Sequence, residues 1–120
     1  MIIMIGGVPC SGKSTLTRNI LSVLGSAEFV EPMKLFPCQK HELFPCQKHD
    51  DVLVVGRYPE GETFGGTDRM SYGAIPKFRD FINQEAPKHK HILIEGDRFY
   101  RAKDIEWLVE THAVSYTHLR

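Results

Sequence analysis

Nine residues near the start of the chain constrain it most. Gly7-Val8-Pro9-Cys10-Ser11-Gly12-Lys13-Ser14, with Thr15 following, matches G-x-x-x-x-G-K-[ST] at every fixed position. Each residue type in that pattern has a physical reason. Gly7 and Gly12 let the backbone curl so that successive N–H groups converge on phosphate oxygens. The first turn of a following helix adds unsatisfied amides and the positive end of its dipole. Lys13 reaches the outer phosphates as a point charge, and the Ser14 hydroxyl is a ligand for Mg²⁺. Cys10, inside the loop, is read as a small filler side chain and not as a nucleophile. The flanks meet the structural condition that the motif demands. Met1–Ile5 is an apolar run that reads as a buried strand, and Leu16, Ile20, Val23 and Leu24 fall on one face of a helix that Gly25 can end.

The rest of the chain repeats the alternation of strand and helix. Phe29-Val30 reads as a short strand, and Val52-Leu53-Val54-Val55 as a buried one ending at Gly56. Residues 57–73 read as a long loop, a length that in a small domain usually carries function. A helix is predicted from Pro76 to about Glu85, with Phe78, Phe81 and Ile82 facing the core and Pro87 ending it. Ile92-Leu93-Ile94 is a third buried strand. Ile105, Leu108, Val109 and His112 then mark one face of a last helix. Alternating elements of this kind predict an α/β domain with a mainly parallel sheet.

Composition narrows the classes of function. With 42% hydrophobic and 25% charged residues over 120 positions, the chain suits one globular domain. Lys and Arg total 15 and so do Asp and Glu, which argues against a dominant nucleic-acid or membrane-surface role. The Met1–Ile5 run is too short to span a bilayer, and no basic residue precedes Lys13 as a secretory signal requires. A cytoplasmic location and no membrane partner are expected.

Two further groups of residues qualify for the site. Glu95-Gly96-Asp97-Arg98 follows the third strand, and in parallel sheets ligands gather at the carboxyl ends of strands. A carboxylate there can serve Mg²⁺ or accept a proton, and Arg98 can grip a phosphoryl oxygen with two hydrogen bonds. Gly65-Gly66-Thr67-Asp68-Arg69, in the long loop, is a candidate second anion site for a phosphate acceptor. A rival chemistry comes from a tandem repeat. Leu35–His41 recurs as Leu43–His49, with Glu42 and Asp50 the only difference between the copies. The repeat creates Cys38-x-x-His41 and Cys46-x-x-His49, four potential zinc ligands. The repeat accounts for that symmetry without a metal, so a zinc-binding module is disfavoured. His89 and His91 read as solvated, and His112 as a helix-end residue suited to the dipole.

The strand, the Gly7–Thr15 loop and the strand-end Asp97-Arg98 together resemble the P-loop nucleoside and nucleotide kinases. The Val54–Arg57, Gly66–Ser71 and Glu95–Phe99 stretches resemble those of small phage-encoded members of this group. The resemblance implies a P-loop NTPase-type three-layer α/β/α fold over residues 1–112. It implies ATP as the bound nucleotide, with Mg²⁺ held by Ser14 and Glu95. Asp97 and Arg98 take the roles of the catalytic carboxylate and the phosphate-gripping arginine, Glu95 is an additional strand-end acid, and Arg69 lies near the acceptor. The C-terminal strands and arginine-bearing lid of such kinases are expected to be missing after Thr111, with Ala113–Arg120 a tail outside the domain. The expected function is phosphoryl transfer from ATP to a small nucleotide or nucleoside, in a host cytoplasm if the chain is phage-encoded. A 5′-hydroxyl polynucleotide end is the other acceptor class, and a nucleotide-binding fragment without activity is the remaining alternative. A GTPase is disfavoured because no Asn-Lys-x-Asp segment is present.

Overall fold

Side-chain alternation along the apolar strands sets the layers. The structure is a computed structural model and describes residues 1–7, 13–25, 28–30, 44–56, 72–96 and 99–119. Six strands, β1 (Ile2–Gly7), β2 (Glu28–Val30), β3 (Cys46–His49), β4 (Val52–Val55), β5 (His91–Glu95) and β6 (Val114–Leu119), form one sheet in the order β2-β3-β4-β5-β1-β6. Three helices pack on it: α1 (Lys13–Leu24), α2 (Phe78–Glu85) and α3 (Ala102–Thr111). Ile2, Met4, Leu53, Val55, Ile92 and Ile94 point to one face, where they meet Phe78, Phe81 and Ile82 of α2 and Leu108 of α3. Their neighbours Ile5, Val54 and Leu93 point to the other, where Ile20 and Leu21 of α1 cover them. Successive residues of a strand point to opposite faces, so each apolar run feeds both layers. The α/β class expected from the alternation of elements therefore holds.

Among the described residues the sheet is mixed: three of its five strand pairings are parallel and two are antiparallel. β1 pairs in parallel with β5 and β6, and β4 with β5. β3 is antiparallel to both β2 and β4. The cause is the second copy of the tandem repeat. Its Cys46–His49 pairs with Val52–Val55 across a two-residue turn, Asp50-Asp51, and so short a connection joins only antiparallel strands. Asp50 takes the left-handed conformation there, at φ 54°, which Asp tolerates better than most residues. Phe44, just ahead of β3, is fully buried. Its ring lies parallel to Phe81 at 4.3 Å between centroids and 5.9 Å from Phe99, which in turn stacks on Phe78 at 4.4 Å.

The helices lie close to where periodicity puts them, with their faces turned. On α1, Thr17 is buried while Val23 is 85% exposed, so the inner stripe runs through Thr17, Ile20, Leu21 and Leu24 instead of ending on Val23. On α2, Phe78, Phe81 and Ile82 are fully buried as predicted. That helix starts at Phe78, because Tyr72–Lys77, with Pro76 inside it, forms tighter 3-10 turns first. On α3, Asp104 and Leu108 face inward and Val109 is 53% exposed. Arg79 of α2 lies 5.4 Å from the ring centre of Trp107 and donates from Nε to Asp104 Oδ1 at 3.4 Å, linking α2 to α3.

The C-terminal segment departs furthest from expectation. Residues 114–119 do not form a tail: they make β6, whose six residues lie beside Ile2–Gly7 in parallel register. One strand therefore follows α3 where none was expected, and the sheet extends beyond residue 112. Its weak alternation in sequence is the strand signal, and pairing along the whole of β1 stabilises what local propensity alone does not. Among the described residues, no helix is long and apolar enough to cross a membrane.

Candidate functional site at the carboxyl ends of the strands

β1 sits between β5 and β6 with all three strands parallel, so their carboxyl ends open on the same edge of the sheet. β1 ends on Gly7, and α1 begins at Lys13. A strand therefore precedes the phosphate-binding motif and a helix follows it. Gly7 is the last residue of β1, Lys13 and Ser14 open α1, and Thr15 is exposed in its first turn. Val8, Pro9, Cys10, Ser11 and Gly12 lie outside the described residues. The α1 end of the junction is anchored from within, since Thr17 is fully buried and Ile20 and Leu21 pack on Ile5 and Leu93.

Glu95 ends the neighbouring strand. Its register partner on β1 is Ile5, two residues before Gly7, and Glu95 is 1% exposed. The Gly96 amide donates to the Ile5 carbonyl at 2.9 Å, which extends the ladder one residue past Glu95. Gly96 then takes a φ of 114°, and Gly56, at the end of β4, takes 98°. Glycine alone adopts such angles freely, so both parallel strands break off sharply at this edge. A buried carboxylate is thus held beside the strand that feeds the glycine loop. Asp97, Arg98 and Arg69 lie outside the described residues.

β6 adds positions that motif reading overlooked. Gly6 of β1 is in register with His118 and Gly7 with Leu119, so a histidine position lies level with the start of the loop. The signal available in sequence was the apolar–polar alternation of residues 114–119.

The zinc reading fails on geometry. Cys46 and His49 are three apart on β3 and so face opposite sides of the sheet. Cys46 Sγ is buried in the core beneath α2 and approaches the Phe44 carbonyl at 3.3 Å. His49 lies on the α1 side, where Nδ1 donates to the Gly25 carbonyl at 3.1 Å and Nε2 accepts from Gln47 Nε2 at 3.2 Å. One tetrahedral ion cannot bind both. Cys38 and His41 lie outside the described residues.

Comparison with models of protein families, with curated proteins and with solved structures gives no match.

Proposed function

We propose that the chain binds ATP on Gly7–Thr15 and transfers its terminal phosphoryl group to a nucleoside or nucleotide, as a P-loop kinase. The observation that carries this reading is the junction of β1 and α1. A strand ends at Gly7, a helix begins at Lys13, and Glu95 stands in register with Ile5 on the adjoining parallel strand. A glycine-rich turn between a strand and a helix N-terminus is a cradle for polyphosphate, because its amides and the helix dipole both favour negative charge.

The donor set suits a hard cation, since a Ser14 hydroxyl and a Glu95 carboxylate are both oxygen ligands. Bound there, Mg²⁺ would neutralise charge on the phosphate oxygens. Lys13 would stabilise charge on the transferred group, and Arg98 and Asp97 would hold the phosphoryl oxygens and the acceptor hydroxyl. Arg69 would bind the acceptor's own phosphate.

Thermal unfolding with Mg·ATP tests the binding half. A ligand at a hundredfold excess over its Kd stabilises the folded state by about 2.7 kcal/mol, so a rise of several degrees in Tm is expected for wild type and none for Lys13→Ala. Wild type unshifted at millimolar ATP, or an equal shift in Lys13→Ala, refutes the assignment. A phosphoryl-transfer screen over nucleosides, nucleoside monophosphates and 5′-hydroxyl oligonucleotides then identifies the acceptor. Turnover of the oligonucleotide alone would favour the polynucleotide-end reading. ATP binding without turnover of any acceptor would leave a nucleotide-binding protein, not a kinase.

A further inference from the structure

β6 stands at one end of the strand order, so among the described residues its far side is an edge of the sheet. One bond shows which backbone groups face that edge. The Ile2 amide donates to the Ala113 carbonyl at 2.9 Å, and Ile2 is in register with Val114. A strand turns the N–H and C=O of successive residues to alternate sides. Ala113, Ser115, Thr117 and Leu119 therefore direct theirs at β1, while Val114, Tyr116 and His118 direct theirs outward. Three donors and three acceptors thus line the edge.

The two edges of the sheet are built differently. β2, at the other end, has three residues and carries Glu28 in register with Lys48. Shortness and charge are the usual protection of an edge against further pairing. β6 has six residues, with no proline and no Asp, Glu, Lys or Arg among them. Ser115 is exposed, and Tyr116 is 54% exposed. Val114 packs against the core beneath α2 and α3, so Tyr116, two residues on, stands on the same face of the sheet.

We propose that β6 pairs with β6 of a second copy of this chain, antiparallel about a two-fold axis at Tyr116, so that two six-stranded sheets become one. An axis normal to the sheet keeps each face on its own side, so opposed positions share a face. The register centred on Tyr116 sets Val114 against His118, Ser115 against Thr117, and Tyr116 against its own copy. In that register the residues that exchange both hydrogen bonds are the outward-facing ones, and all six edge groups of each copy are satisfied by the other. This self-complementarity is what favours a second copy over an unrelated strand. The uncharged strand opposes no like charges, and the two Tyr116 side chains meet as a cross-strand aromatic pair. Pairing consumes the β6 edge of both copies, so assembly closes at two. The interface does not depend on nucleotide binding.

Sedimentation equilibrium of the purified chain from about 10 μM to about 1 mM spans the range of a small, weak interface, with amide exchange followed by NMR at both ends of it. A monomer–dimer equilibrium is expected. Exchange should slow with concentration at Val114, Tyr116 and His118, and should be slow throughout at Ser115, Thr117 and Leu119. Tyr116→Lys opposes two like charges at the axis and should weaken dimerisation about tenfold or more, and an equal mixture of Tyr116→Lys and Tyr116→Glu should restore it. Tyr116→Pro removes an outward N–H and no bond to β1, so it should abolish the dimer in a folded chain. Wild type that is monomeric at about 1 mM overturns the proposal, as does a charge-swapped mixture that fails to dimerise. A dimer that survives Tyr116→Pro, outward amides that exchange freely within the dimer, or assembly that continues past two copies overturns it equally.

Discussion

Phe44→Ala is the sharpest test of how the tandem repeat is used. The two copies are identical from Leu35 to His41 and from Leu43 to His49, yet it is the second that supplies β3 and the Phe44 ring. That ring is fully buried between Phe81 at 4.3 Å and Phe99 at 5.9 Å. Truncating a core phenylalanine costs about 3–5 kcal/mol in lost transfer energy and residual cavity. The parallel stack on Phe81 puts this site at the upper end, since aromatic pairs add about 0.5–1.5 kcal/mol beyond area burial. A domain of this length has a total stability of about 6–18 kcal/mol, so the loss is a large share of it. With a urea m-value of about 2 kcal/mol/M, the midpoint should fall by about 2 M at unchanged slope. Trp107, the chain's one tryptophan, packs against the same core and reports unfolding by fluorescence. Phe36→Ala is the matched comparison. A midpoint shift below about 0.5 M for Phe44→Ala, or the large loss appearing at Phe36 instead, would place the first copy in the sheet and refute the assignment.

Three further outcomes follow from single contacts. Glu85 accepts from Gln84 Nε2 at 3.0 Å and from Lys88 Nζ at 3.1 Å, so Glu85→Gln should lower stability at neutral pH by about 1–3 kcal/mol, the usual worth of hydrogen bonds to a charged group. Because the folded carboxyl titrates below its ordinary value of 4.5, that contribution is complete above the unfolded pKa and lost as pH falls through the folded one. Wild type and variant should therefore converge in acid urea titrations, and a gap that persists at pH 2 contradicts the pairing. His49→Ala removes the Nδ1 bond to the Gly25 carbonyl, 3.1 Å long, and should cost about 1–2 kcal/mol with faster amide exchange in the last turn of α1. Exchange unchanged there would mean that the histidine does not hold the helix end. Asp50→Val places a β-branched residue at φ 54° and should cost about 1–2 kcal/mol in the same urea assay; a neutral result would rule out the left-handed turn.

Much of the framework was legible because it rests on local pattern. The apolar run at Met1–Ile5 and the Val52–Val55 and Ile92–Ile94 runs became β1, β4 and β5. Phe78, Phe81 and Ile82 were buried as their spacing predicts, and Gly25 follows α1 with a φ of 88°. The helix faces were less legible. Leu16 and Val23 satisfy helical spacing as well as Leu21 does, but only the angle at which α1 lies on the sheet exposes Val23 and buries Thr17. The candidate site was legible in its types and not in its geometry. The motif named Gly7, Lys13 and Ser14, whereas the nearness of Glu95 depends on β5 pairing directly with β1.

By itself, then, the sequence determined a glycine loop between a strand and a helix, three buried strands, and an α/β class, because these are written in spacings of a few residues. Only tertiary structure made the second copy of Leu-Phe-Pro-Cys-Gln-Lys-His a strand of the sheet. The second lies two residues from β4, and a two-residue turn closes a hairpin at far smaller entropic cost than a longer connection. Tertiary pairing also made residues 114–119 a strand, because parallel partners are joined by backbone bonds between segments over a hundred residues apart. It set Cys46 and His49 on opposite faces of the sheet, ending a zinc site that spacing alone had allowed. Such outcomes depend on which strands become neighbours, and no local pattern carries that information.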